Sequence, residues 1–162
     1  MNPREMSSGG SSIILRQANS GDADAIASIH LGARQRYLAF APLVHSEAEV
    51  RAWIREQIIP AGMTWVLDQD RVILAYMTLA RHSDGAWIDQ LYVHPDATGR
   101  GYGTTLLAAA RHTLSAPIRL YTFQENTGAR RFYERAGFVI ERLSDGLTNE
   151  EKCPDVLYRW PA

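Results

Sequence analysis

Residues 91–107 read Leu91-Tyr92-Val93-His94-Pro95-Asp96-Ala97-Thr98-Gly99-Arg100-Gly101-Tyr102-Gly103-Thr104-Thr105-Leu106-Leu107. A β-prone run enters this segment and a leucine- and alanine-rich helical run leaves it. Gly99, Gly101 and Gly103 therefore fall where the first N–H groups of a helix emerge unpaired. Glycine removes the Cβ atoms that would bar a close approach and permits turns that other residues resist. The reading predicts a nest of N–H donors over residues 99–104 aimed at one phosphate and aided by the helix dipole, with Arg100 as a mobile charge at its rim. Two other phosphate loops do not fit these letters. A P-loop needs lysine and then Ser or Thr after its last glycine, but Thr104 follows Gly103; a dinucleotide fingerprint needs G-x-G-x-x-G, but Thr104 stands sixth from Gly99. On the glycines alone, a tight loop without a ligand stays open as well.

Working outward, the C-terminal side predicts a helix from Thr104 to about Leu114, a strand over Ile118–Phe123 after Pro117, and a helix over Thr127–Ala136. With the strand that enters the glycine loop this is a βαβ unit. On the N-terminal side, Thr64–Leu67 and Val72–Ala80 flank Asp68-Gln69-Asp70-Arg71 as a hairpin, and the turn at Ser83-Asp84-Gly85 leads into Ala86–Val93. Three consecutive strands in that pattern predict an antiparallel meander. Farther back lie a short strand over Ile13–Gln17 and a helix around Ala23–Leu31, with Ala23, Ile26, Ala27 and His30 on one face. A second helix is predicted from about Glu47 to Ile58, opened by a capping box of Ser46 with Glu49 and stopped by Pro60 and Gly62. The chain closes with strands near Phe138–Leu143 and Val156–Trp160. The predicted order is β-α-α-β-β-β-α-β-α-β-β, an α+β chain with one mixed sheet.

At 162 residues and 46% hydrophobic, the chain suits one compact domain, read here as residues 13–162 behind a polar, glycine- and serine-rich leader over 1–12. That leader reads as neither a signal peptide nor an anchor. The apolar run Val72–Ala80 is far shorter than the roughly 20 residues of a membrane-spanning helix. A formal charge of −1 gives no long-range attraction for nucleic acid or anionic membrane, so phosphate recognition has to be local. One cysteine, Cys153, excludes an intrachain disulfide framework and suits a cytoplasmic setting. The five histidines show no metal-ligand spacing, so no metal is expected. Trp53, Trp65, Trp87 and Trp160 lack an interleaved basic cluster and read as core or cleft residues.

The glycine loop resembles that of the GNAT superfamily of acetyl-coenzyme A-dependent N-acetyltransferases, whose pattern is Arg/Gln-x-x-Gly-x-Gly/Ala after the fourth strand. This chain matches the glycines and carries Thr98 at the first position of Thr98-Gly99-Arg100-Gly101-Tyr102-Gly103. A second stretch, Asn126-Thr127-Gly128-Ala129-Arg130-Arg131-Phe132-Tyr133-Glu134-Arg135-Ala136-Gly137-Phe138, resembles the family's helix after the fifth strand. The likeness runs from Ile13 to Trp160. It implies a mixed sheet with splayed fourth and fifth strands and acetyl-coenzyme A as the acetyl donor. It also implies that Leu91, Tyr92 and Val93 offer backbone groups to the pantetheine arm, and that Gly99, Arg100, Gly101, Tyr102, Gly103 and Thr104 hold the pyrophosphate. Asn126 is then expected to contact the cofactor arm and Tyr133 to face the thioester sulfur.

Several of these residues have a second reading. Asn126 is also placed to cap the helix that follows it. Tyr133 shares a helical face with Ala129, Phe132 and Ala136, so packing and chemistry compete for it. Arg130 is spaced for a surface pair with Glu134 and is also a candidate for the cofactor's ribose phosphate. Asp89 alternates with Leu91 and Val93 and is the first candidate base, with an ordered water as its rival and a β-bulge as the feature that would reorient it. The expected reaction is direct transfer to the amine of a small molecule or a peptide N-terminus, with a catalytically weak coenzyme A-binding sensor as the alternative. Tyr37, Phe40, Glu47, Asp145, Glu150 and Glu151 are candidates to line the acceptor side. The protein is expected to be a monomer or homodimer.

Overall fold

The computed structural model describes residues 4–8 and 10–161. Its elements are β1 Arg4–Ser8, β2 Ser11–Gln17, α1 Ala23–Tyr37, α2 Glu47–Trp53, β3 Thr64–Gln69, β4 Val72–His82, β5 Gly85–Val93, α3 Tyr102–Thr113, β6 Ile118–Phe123, α4 Thr127–Arg135, β7 Val139–Ser144 and β8 Asp155–Trp160. From β2 onward the order is the expected one. The structure adds β1 within the segment read as a leader, paired antiparallel with β2 from Arg4↔Leu15 to Ser8↔Ser11. Residues 1–3 and 9 of that leader lie outside the described residues. Among the described residues no helix is long and apolar enough to cross a membrane.

One sheet of eight strands carries the chain in the order β1-β2-β3-β4-β5-β6-β8-β7. The β3–β4 hairpin turns on Asp70 and Arg71, both left-handed at φ 52° and 69°, a two-residue turn whose twist matches the strands. Ser46 caps α2 through the expected box with Glu49, and the helix continues as one π-turn over Ile54–Ile58. Side chains alternate between the sheet faces. Leu67, Met77 and Leu79 pack with Leu106, Leu107 and Ala110 of α3. Val66 and Tyr76 pack on the opposite face with Ile26 and Ile29 of α1 and Val50 of α2.

Two irregularities position the site. All neighbours in the sheet are antiparallel except β5 and β6, and that parallel contact holds only for Ala86↔Ile118 and Trp87↔Arg119. Beyond Trp87 the two strands diverge, leaving the inner edge of β5 without a strand partner, as the splayed arrangement requires. The second irregularity is a bulge. Thr78 pairs with Gln90 and Leu79 with Ile88, so Asp89 is the extra residue of β5.

Candidate active site

The glycine turn is built by backbone conformation. Gly99 and Gly101 are left-handed at φ 77° and 85°, a region that costs other residues roughly 1–2 kcal/mol. A Cβ on either would meet nothing within 4 Å, so the turn stands open on its outer side. Gly101 is the N-cap of α3, and the first turn of this helix carries no acidic residue to satisfy its positive end. Donors in the open over an uncompensated helix start fit a pyrophosphate. Gly103 has another duty: its Cβ would stand 3.0 Å from Cζ of Phe132, so the glycine admits α4 close to α3.

Above this turn lies a cavity of about 600 Å³ that runs along the free edge of β5, with β6 and α4 opposite. Of the residues expected to bind the cofactor, Leu91, Tyr92, Val93, Gly99, Gly101, Tyr102, Gly103, Thr104, Asn126 and Tyr133 line it. Arg100 and Arg130 are not in its wall. Arg130 is engaged inside the protein, donating to the Gln124 carbonyl and the Tyr158 hydroxyl, each at 3.3 Å. Its expected direct pair with Glu134 is replaced by a relay, because the Tyr158 hydroxyl donates to Glu134 at 2.7 Å. Asn126 does cap α4, its side-chain oxygen accepting from the Ala129 N–H at 3.3 Å. Thr98 lines the cavity and bonds the Tyr37 hydroxyl at 3.2 Å, so α1 reaches the position where the family pattern has a longer polar side chain. Arg135 also lines the cavity.

Tyr133 is 7% exposed, and its ring packs against Phe132, Phe138 and Tyr158 with centroids 5.2, 5.7 and 6.1 Å away. Burial pushes its hydroxyl pKa up, with Tyr92 adding to the shift, so the phenol holds its proton at neutral pH. The residue thus belongs both to the core and to the cavity wall. Asp89 lies on the bulge between Ile88 and Leu91, both of which pack toward α3 and α4, so strict alternation fails at this residue. Its side chain is 39% exposed and lies 3.6 Å from His82 Nε2. Burial raises its pKa against the opposing pull of His82.

A second cavity, about 1220 Å³, opens on the α1–α2 side and is closed by the β7–β8 loop. Asp89, Gln90, Tyr92, Tyr121, Thr122 and Phe123 line both cavities, so the two meet through the splay between β5 and β6. Of the residues expected on the acceptor side, Asp145, Glu150 and Glu151 line the second cavity. Tyr37 lines the first instead, Phe40 packs edge-on against Phe123 at 5.7 Å, and Glu47 pairs with Arg51 at 3.0 Å on α2. His30 and Arg34, neither of them among the individual residues expected on the acceptor side, also line the second cavity, as does Trp53, read from the sequence as a core or cleft residue. Among the described residues no three His, Cys, Asp or Glu side chains gather as a metal site.

The arrangement has relatives. The model of the Acetyltransferase (GNAT) family matches residues 31–138. A mycothiol acetyltransferase of Kineococcus radiotolerans is 34% identical over 95 residues, covering 52% of this chain and 31% of that protein. A peptidyl-lysine N-acetyltransferase, YjaB, of Salmonella typhimurium is 32% identical over 89 residues, covering 54% of this chain and 57% of the other. The chain thus spans less than two thirds of either relative. In fold it is similar to a PaiA N-acetyltransferase of Thermoplasma acidophilum solved in complex with coenzyme A, at TM-score 0.72 and 21% identity over 93% of this chain and 99% of that one. With the glycine turn, the splayed strands and a family match over more than half of its length, the chain belongs to the GNAT acetyltransferase family.

Proposed function

We propose that this protein moves an acetyl group from acetyl-coenzyme A directly to an amine of a small molecule or peptide held in the second cavity. The observation that carries the reading is the meeting of two cavities through the splay, with an open anion nest at the outer end of the first. Bound acetyl-coenzyme A supplies an activated acyl carbon with a thiolate leaving group. The chain's own residues do the rest. Backbone N–H groups over 99–104 hold the pyrophosphate, and the free edge of β5 at Leu91–Val93 offers strand-like hydrogen bonds to the pantetheine arm.

Two substrates aligned across the splay gain the rate advantage of orientation. An amine has to lose a proton to attack, and Asp89, which lines both cavities, is the group placed to accept it. Tyr133 lines the first cavity with its proton retained and is the group placed to donate to the departing sulfur. Cys153 is outside both cavity walls, which favours direct transfer over an acyl-cysteine.

Calorimetric titration with coenzyme A, followed by transfer of labelled acetyl to a panel of amines, tests the proposal. Gly101→Val forces a β-branched residue to φ 85° and fills the open face of the nest, so a folded G101V protein is expected to lose at least roughly tenfold in affinity. Unchanged affinity refutes the location. Tight binding without transfer to any amine favours a sensing domain.

A further inference from the structure

The second cavity contains a buried imidazole that the proposed proton transfers leave unused. His30 lies within α1, is 7% exposed and lines the cavity beside Trp53 and Tyr92. Its ring is boxed by Tyr92 at 4.9 Å, Trp53 at 5.7 Å and Tyr76 at 6.3 Å. Nδ1 lies 2.7 Å from the Tyr76 hydroxyl. Tyr76 is 0% exposed, and among the described residues His30 is the hydroxyl's one partner.

The shared proton has two arrangements. If Nδ1–H donated to the phenol, the phenolic hydrogen would be sealed in the core without an acceptor, at the full desolvation penalty of a buried donor. If the phenol donates to Nδ1, its hydrogen is satisfied and the imidazole proton stands on Nε2. Burial, helped by Arg34 one turn along α1, lowers the His30 pKa to about 4, which keeps the ring neutral. Nε2 has no protein partner among the described residues. It is also not sealed, since Arg111 Nε is the one buried side-chain nitrogen or oxygen without a hydrogen-bond partner among the described residues. It therefore opens on the cavity.

We infer that His30 presents a fixed, neutral Nε2–H donor to the acceptor and selects amines that also carry a hydrogen-bonding oxygen, an amide carbonyl or a hydroxyl, over bare alkylamines. An N–H donor offers nothing to an ammonium and a hydrogen bond to such an oxygen. A carboxylate on the acceptor is disfavoured because carboxylates, Asp145 and Glu150 among them, outnumber Arg34 and Arg142 in the same wall, and Arg34 is already paired with Glu151 at 3.5 Å. The inference rests on the second cavity being the acceptor's, and it makes His30 a specificity-determining residue.

The test compares glycinamide with propylamine, two amines of similar size, on the parent and on His30→Phe, which keeps an aromatic ring in the box. The ratio of kcat/KM for glycinamide over propylamine is expected to fall about tenfold in H30F, the worth of one hydrogen bond in a water-accessible site. Differences in amine basicity cancel in that comparison, and coenzyme A affinity serves as the folding control. Independently of turnover, nitrogen-15 NMR of the labelled imidazole is expected to show the proton on Nε2, with a resonance that moves on addition of glycinamide and stays fixed with propylamine. An unchanged ratio in an active H30F protein overturns the inference, and so does a proton on Nδ1. Absence of acetyl transfer to either amine counts against the transfer reaction instead, and the NMR titration then decides the role of His30.

Discussion

Gly103→Ala puts the packing of α3 on α4 to a quantitative test. The new Cβ would lie 3.0 Å from Cζ of Phe132 and 3.5 and 3.6 Å from its two Cε atoms. Carbon atoms rest at about 3.5–4.0 Å, so the ring has to retreat by roughly 0.5–1 Å. It cannot do so freely, because it lies on α4 beside Tyr133, 5.2 Å away, and packs on the core. Overpacking of this kind costs about 1–3 kcal/mol. Alanine in a helix returns at most about 1 kcal/mol over glycine, and less in the first turn. The expected net loss is about 1 kcal/mol, a fall of roughly 2–4 °C in Tm for a chain of this size. In a Phe132→Leu background the ring tip is gone and the same substitution becomes neutral or stabilising, for a coupling of about 1–2 kcal/mol in a urea-denaturation double-mutant cycle. If G103A stabilises the parent, or costs the same in both backgrounds, the close approach of Phe132 does not set the glycine requirement.

Other predictions concern charge. Arg16 donates to both Asp22 oxygens at 2.8 Å and to Asp68 at 2.9 Å, tying the start of α1 to β2 and β3. The Arg16 hydrogen bonds hold the Asp22 carboxyl below its ordinary range, against the opposing effect of burial. A lowered folded pKa contributes stability above the unfolded value of about 4 and loses it as pH falls through the folded one. Asp22→Asn is therefore expected to cost about 1–3 kcal/mol at pH 7, with the gap to the parent closing in acid melts below about pH 4. An equal gap at pH 7 and pH 2.5 would contradict this linkage. Asp89→Asn is expected to lower turnover by roughly 10²-fold and remove part of its rise with pH, while coenzyme A affinity holds. Superimposable pH–rate profiles would transfer the base role to water.

Much of this architecture could be read from local pattern. The capping box at Ser46 and Glu49, the two-residue turn at Asp70-Arg71 and the glycines at a strand-to-helix junction each act through neighbours a few residues away. β1 escaped notice because a five-residue strand amid serine and glycine has no apolar period, and pairing with β2 alone defines it. The bulge at Asp89 depends on register with β4, which no alternation within β5 reveals. Helical spacing pairs Arg130 with Glu134, but its partners Gln124 and Tyr158 come from the preceding loop and from β8. His30 was visible as a histidine on an apolar helical face. Its meaning needed Tyr76, 46 residues away.

Acetyl transfer across the splay is tested most directly by a single-turnover experiment: protein loaded with labelled acetyl-coenzyme A is mixed with an amine acceptor, and the label is followed in the parent and in Tyr133→Phe. Phenylalanine keeps the packing on Phe132, Phe138 and Tyr158 and removes only the proton donor. Thiolate is already a competent leaving group, so the expected loss in the chemical step is at the lower end of general-acid effects, at least roughly tenfold. The account predicts that label passes to the amine without residing on the protein and that Y133F slows this step while binding acetyl-coenzyme A as tightly as the parent. Label trapped on the polypeptide, or an unchanged chemical rate in folded Y133F, would contradict it.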